Sequence, residues 1–223
     1  MKNISKLFSL GLLLCASTVT FGQKINAAAG LNFSSIMQSA DASAGVLPDP
    51  KIRTGFHVGA TVDYPLTDLI SVDGGLLFSS MGYKFDETVA IVDVSGTLSA
   101  YYLTIPILAK ANFEVADIQT FVGVGPYIGV GLFGNSETET TSFFGTQKSD
   151  DKIEWGNEKD EDQLKRLDFG LQAKAGVEFD KISVAFFYGL GLINIATENS
   201  GNGDLTAKNT VFGLTVGYTL FEL

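Results

Sequence analysis

Few residues of this 223-residue sequence could do chemistry, and most stand two apart along alternating segments. The only histidine, His57, could act as a general base. No motif sets a nucleophile or an acid beside it. A lipid-directed hydrolase or acyltransferase working through His57 is therefore one expectation, and a polar interior histidine with no catalytic role is the simpler one. Five charged residues, Asp63, Asp73, Lys110, Lys174 and Glu178, each lie within a few residues of a tight turn, on the polar parity of their segments. Brought face to face they would form a salt-bridged plug of charge-assisted hydrogen bonds. Arranged along a path they would carry protons or ions; the plug is the plainer expectation.

A third group lies between Gly134 and Lys165. Its acids include Glu137, Glu139, Asp150 and Asp151, and it ends in the run EKDED, Glu158 to Asp162. Such a run could attract calcium, but the ligand spacing and glycine of an EF-hand loop are absent, so a solvated, mobile surface loop is expected. Phe143, Phe144 and Trp155 stand among these polar residues as contact anchors or as packing for a rim. GVGPYIG has the wrong spacing for a dinucleotide fingerprint, and no helix follows it. No cofactor or metal site, and no catalytic residue, is assigned.

These residues are positioned by strands. Eight segments alternate with period two. The fourth shows the pattern best: Tyr101, Leu103, Ile105, Ile107, Ala109, Ala111 and Phe113 make one wholly apolar face, while Lys110 and Asn112 fall on the other. Pro65 to Asp68, Glu114 to Asp117 and Asp180-Lys181 read as tight hairpin turns. Four links are longer: Ile36 to Ile52, Asp86 to Thr97, Gly134 to Lys165 and Ala196 to Ala207. Short links alternating with long ones describe an all-β, eight-stranded, antiparallel up-and-down transmembrane β-barrel. Tilted strands of about 10 residues suffice to cross the hydrocarbon layer.

Charge placement sets the orientation. His57, Asp63, Asp73, Lys110, Asp168, Gln172, Lys174 and Glu178 share the face opposite the apolar one, together with many glycines. In a soluble lipocalin-type carrier, the charges would fill a small interior and leave a wall of valine and leucine in water. Placing the apolar wall in lipid and pairing the charges in the lumen costs less, and closure satisfies the backbone groups that lipid cannot. Tyr64, Phe113, Phe179 and Tyr218 end the apolar face near the short turns. Phe33, Phe56, Phe78, Tyr101 and Phe212 do so near the long links, as two interfacial girdles would. A barrel of this size has room for side chains and little else, so a filled lumen is expected. A narrow channel for ions or small solutes is the alternative.

Composition agrees. Apolar residues make up 45% and charged ones 18%, against about 25% charged in an ordinary soluble domain. Residues 1–22 read as a secretory signal peptide, with Lys2 and Lys6 before an apolar run from Leu7 to Val19 and small residues at Thr20 and Gly22. Residues 23–223 form the barrel domain. The only cysteine, Cys15, lies in the signal, and Leu14 before it does not suit a lipoprotein signal. Removing the two lysines takes the formal charge from -10 to -12, which argues against a nucleic-acid partner. The expected surroundings are membrane lipid, with an envelope protein as a possible partner.

The segments YLTIPILAKANF, FVGVGPYIG, DFGLQAKAGVEF, YGLGLINI and NTVFGLTVGYTLF resemble the successive strand motifs of the PorT-like outer-membrane β-barrel family. The resemblance spans essentially the whole mature chain, and Y-L-x-I-P-x-L-x-K is its most specific piece. It implies an eight-stranded barrel in the outer membrane of a Gram-negative cell. Members mostly lack a defined activity, and some are linked to a protein-secretion apparatus. The chain departs from the usual pattern at its end, where Glu222 and Leu223 follow Phe221. Short turns and termini are expected to face the periplasm, and the long links the exterior.

Overall fold

The computed structural model describes residues 22–39, 49–89, 92–143, 145–156, 164–197 and 205–223. The signal segment lies outside them except for Gly22. The alternating segments become strands: β1 (Lys24–Ser39), β2 (Lys51–Pro65), β3 (Ile70–Val89), β4 (Val92–Val115), β5 (Ile118–Ser142), β6 (Gly145–Lys152), β7 (Leu167–Phe179), β8 (Ile182–Gly191) and β9 (Thr206–Glu222). Eight of them form a closed antiparallel ring in the order β4-β3-β2-β1-β9-β8-β7-β5, with β5 pairing back onto β4. The first and last strands seal it from Lys24↔Glu222 to Ser39↔Thr206. A closed ladder leaves no strand edge within the ring, which is the condition for crossing hydrocarbon with strands.

The two parities of each strand separate as the alternation predicts. Outward side chains include Val124, Leu171 and Leu214, which are 59%, 48% and 51% exposed, and these recur around the whole wall. Inward ones include Asp63, Asp73 and Lys110, all under a tenth exposed, and Asp168, which has no exposed surface. A continuous apolar exterior around a charged interior inverts the soluble pattern, in which exposed apolar patches are small. The bilayer is the solvent that makes this stable.

The upper aromatics form a linked band. Phe33 stacks on Phe212 at 5.3 Å, Phe78 on Tyr101 at 5.7 Å, and Tyr101 on Phe133 at 4.7 Å. Simple alternation would turn Phe133 inward. A bulge intervenes instead: Tyr102 pairs with Gly131 and Tyr101 with Phe133, so Leu132 and Phe133 both face out.

The short turns close as expected. Thr67 Oγ1 accepts from the Ile70 amide at 2.9 Å, and Ala116 and Asp117 both take positive φ, 51° and 64°, at the β4–β5 turn. Gly22 and Leu223 meet at this end: the Gly22 amide bonds to the Leu223 carbonyl, and the Leu223 amide donates to Gln23 at 3.0 Å.

Two long links differ from expectation. Asp86 to Thr97 is mostly ladder, with Asp86↔Ser95 and Val89↔Val92. The segment after Gly134, expected as a mobile surface loop, continues β5 to Ser142 and returns as β6, from Asn135↔Lys152 to Ser142↔Gly145. The physical reason is visible in NSETETTS. Its threonines favour strand backbone, and its stabilising cross-strand pairs are polar, so hydrophobic alternation cannot reveal it. Lys148 on β6 bonds Glu139 on β5 at 2.7 Å, and that hydrogen bond holds the Lys148 ammonium above the usual lysine range. Together β3, β4, β5 and β6 form a four-stranded sheet rising beyond the aromatic band on one side of the mouth.

Candidate functional site

The candidate site is the lumen and its mouth, built in tiers by the inward parity of every strand. Nearest the short turns lies a charged tier. Asp63 on β2 and Asp73 on β3 are direct register partners, an arrangement that like charges make unfavourable. Two lysines resolve it. Lys110 on β4 pairs with Asp63, and Lys174 on β7 bonds Asp73 at 2.8 Å across the lumen. Both ammonium groups also lie over the Phe121 ring, 4.4 and 5.7 Å from its centroid, where the ring quadrupole favours a cation. Glu178 pairs with Lys24 at the start of β1. All five charged residues singled out in the sequence therefore enter ion pairs here, and Lys24 joins them. Lys24 shares the parity of inward Asn26 and Ala28, so the same alternation could have identified it.

His57 occupies the middle tier of the lumen. Its Nδ1 meets Asn32 Oδ1 at 2.8 Å, its Nε2 meets Thr215 Oγ1 at 3.0 Å, and its ring stands edge-on to Phe187. Asn32 gives its Nδ2 protons to the carbonyls of Phe56 and Ser80, at 2.9 and 3.2 Å. That leaves Asn32 Oδ1 as acceptor and makes His57 Nδ1 the donor. Both ring nitrogens are thus held by neutral side chains. His57, Asp73 and Lys174 line a cavity of about 40 Å³, and a second of about 30 Å³ adjoins it in the charged tier. Each has room for ordered water, and neither is a continuous bore.

The third tier closes the lumen. Asp168 Oδ2 accepts from Tyr127 Oη at 3.1 Å and from Asn209 Nδ2 at 2.9 Å. Its Oδ1 has no hydrogen-bond partner among the described residues. Met81, Ala100, Tyr102, Ile153, Phe187 and Val211 pack into an apolar septum.

Of the two places expected for Trp155, contact anchor or packing, the structure has packing. It folds inward, edge-on to Tyr102 with centroids 5.5 Å apart at 88°, and packs on the septum. Its ring lies where a Cβ on Gly131 would stand. Burying this large apolar side chain against the septum outweighs exposing it on a polar loop. Phe143 stays outward, 89% exposed at the tip of the β5–β6 hairpin. Phe144 and the run Glu158 to Asp162 lie outside the described residues. Among those described, no three His, Cys, Asp or Glu side chains cluster as metal ligands would.

The sequence matches the outer membrane protein beta-barrel domain over residues 21–197, most of the chain. The chain belongs to that family. As a family member it is an outer-membrane β-barrel; the match takes in β1 to β8, and β9, which closes the ring, lies beyond it. No curated protein matches the sequence. Among solved structures, the family member is similar to Neisserial surface protein A, at 12% identity over 89% of this chain and 99% of that one, with a TM-score of 0.43. It is similar to OprG from Pseudomonas aeruginosa, at 11% identity over 91% and 97%, with a TM-score of 0.45. A third likeness is to Ail of Yersinia pestis, at 16% identity over 89% and 99%, with a TM-score of 0.36.

Proposed function

We propose that this outer-membrane barrel is an interaction protein: its closed wall anchors it in the membrane, and the projecting β3–β6 sheet engages a protein partner of the envelope. The single observation that supports this reading best is the contrast between the two parts. The lumen is filled by ion pairs and an apolar septum, while three ring strands extend past the aromatic band and carry an added strand. The outer face of that sheet sets Lys51, Lys84, Asp86, Glu137, Glu139 and Asp150 around an open concavity. Mixed charges of this kind steer and select protein partners. The PorT-like resemblance, whose members include components linked to protein secretion, agrees with a place in a larger assembly. In this reading the long-link end faces the exterior.

The narrow-channel alternative calls for a lumen without a closing salt network. A hydrolase calls for an acid or nucleophile within reach of His57, whose two nitrogens meet Asn32 and Thr215 instead.

The test is gentle detergent extraction from native envelopes, comparing the full chain with a variant in which residues 136–151 are replaced by Asn-Gly. A specific companion recovered with the full chain and lost with the variant is the expected result. A barrel recovered alone in both cases, together with stepwise conductance in planar bilayers, would overturn the proposal in favour of a channel.

A further inference from the structure

One row of paired residues crosses the outer face of the projecting sheet. It runs Lys51 of β2, Lys84 of β3, Thr97 of β4, Glu137 of β5 and Asp150 of β6, each the register partner of the next. Thr97 shares the parity of outward Tyr101, so the row looks away from the lumen. Two of its steps set like charges directly opposite, Lys51 against Lys84 and Glu137 against Asp150, which strand pairing disfavours. The chain relieves only part of this. Lys51 bonds Asp86, and Lys148 bonds Glu139. Lys84, Glu137 and Asp150 enter no ion pair among the described residues. In the lumen, lysines of the same chain answer the opposition of Asp63 and Asp73. On this face the counter-charges must come from another molecule.

The order of the charges says which molecule. The row reads two cations, a neutral centre and two acids, so it changes sign about Thr97. A two-fold axis along the membrane normal keeps two copies upright in one bilayer and gives an interface in which the same patch serves both. It sets the β2–β3 flank of each copy against the β5–β6 flank of the other. A patch of one sign would repel its own copy, whereas this one complements it. Adjacent strands lie about 4.8 Å apart, so Lys84 and Glu137 each stand one strand from an axis at Thr97. The long lysine side chain spans the offset that strand tilt introduces. The next row agrees, with Asp86 at its β3 end and Lys148 at its β6 end. Beneath both rows, stacked Phe78, Tyr101 and Phe133 give the same face an apolar footing.

We propose that the projecting sheet binds a second copy of this chain about a two-fold axis at Thr97, with Lys84 of each copy paired to Glu137 of the other. This rests on the partner surface described above and names its occupant.

Full-length chains carrying two different tags are co-expressed, extracted from the envelope in gentle detergent at low salt, and captured on one tag. Recovery of the second tag is expected, and raised salt lowers it. Lys84→Glu in both copies, or Glu137→Lys in both, sets like charges at both contacts and lowers recovery by about tenfold. A Lys84→Glu copy expressed with a Glu137→Lys copy restores it, because each reversed charge then faces the other. Both positions are exposed, and heat-modifiable gel mobility shows that the variants are folded. Absence of the second tag with the unaltered chain overturns the proposal. So does full recovery after either reversal, or no rescue in the mixed pair. A different envelope protein that is captured with the full chain, and lost when residues 136–151 are replaced, would keep the partner surface and overturn self-association if the second tag is absent. A barrel recovered with neither companion overturns both.

Discussion

Asp63 and Asp73 stand opposite one another on adjacent strands, and each is neutralised from a different direction: Asp63 by Lys110 of β4, Asp73 by Lys174 of β7. The pair therefore ties together strands on opposite sides of the ring. Its effect is to convert a local repulsion into a brace across the lumen.

This brace can be tested by removing one arm. Lys110→Met leaves Asp63 charged, buried and opposed to Asp73. The loss expected is about 3–5 kcal/mol, the cost of stranding a buried charge. A Lys110→Met, Asp63→Leu double variant recovers most of it. Urea unfolding in lipid vesicles, followed by Trp155 emission, measures both. Equal stability of the single variant and the wild type would show that the ion pair does not brace the lumen.

The outer wall makes a different prediction. Ile107 lies midway along the outward face between Tyr101 and Phe113 and is 49% exposed. Ile107→Arg places a cation against the acyl chains and lowers stability by about 2–4 kcal/mol. Leu108→Ala, one residue along and inward, instead opens a cavity at a site 1% exposed, costing about 2–5 kcal/mol. Only the first of these penalties shrinks when the variant is refolded in a thinner bilayer, because only the first depends on lipid contact.

Trp155 seals the septum because Gly131 has no side chain. Gly131→Val displaces the indole from its seat. A red shift of emission and stronger quenching by acrylamide are expected, with barrel mobility on gels unchanged. Retention of the wild-type spectrum would place Trp155 elsewhere.

In the β5–β6 hairpin, β6 pairs only with β5 among the described residues, and the β5 residues opposite it pair otherwise only with Asp93 to Ser99 of β4, beyond the aromatic band. Replacing residues 136–151 with Asn-Gly therefore leaves folding and heat modifiability intact, within about 1 kcal/mol, as expected for exposed polar pairs. A variant that no longer folds would show that the hairpin is integral to the barrel.

The wall and the inward polar set were legible because strand geometry enforces a period of two, and one parity change would have put Lys110 or Asp168 into lipid. Ion-pair partners were not legible. Asp63 could be assigned to the lumen from Tyr64 and Val62 on either side of it, but choosing Lys110 over Lys174 requires the relative stagger of nonadjacent strands. The outward place of Phe133 was not legible either, because parity cannot show the single extra residue at Leu132. The choice between contact and packing for Trp155 and the β5–β6 hairpin were not legible for a shared reason: their stabilisation comes from contacts with other segments, the septum in one case and polar cross-strand pairs in the other.

The longest-range seam in the molecule lies between β1 and β9, the first and last strands of the ring in chain order. No hairpin can stand in for it, because every residue of β1 that faces this seam waits for a partner beyond seven intervening strands. Until β9 docks on β1 the chain is an unclosed, lipid-seeking ribbon with two open edges, and it has to be shielded from other chains until that seam completes the cylinder.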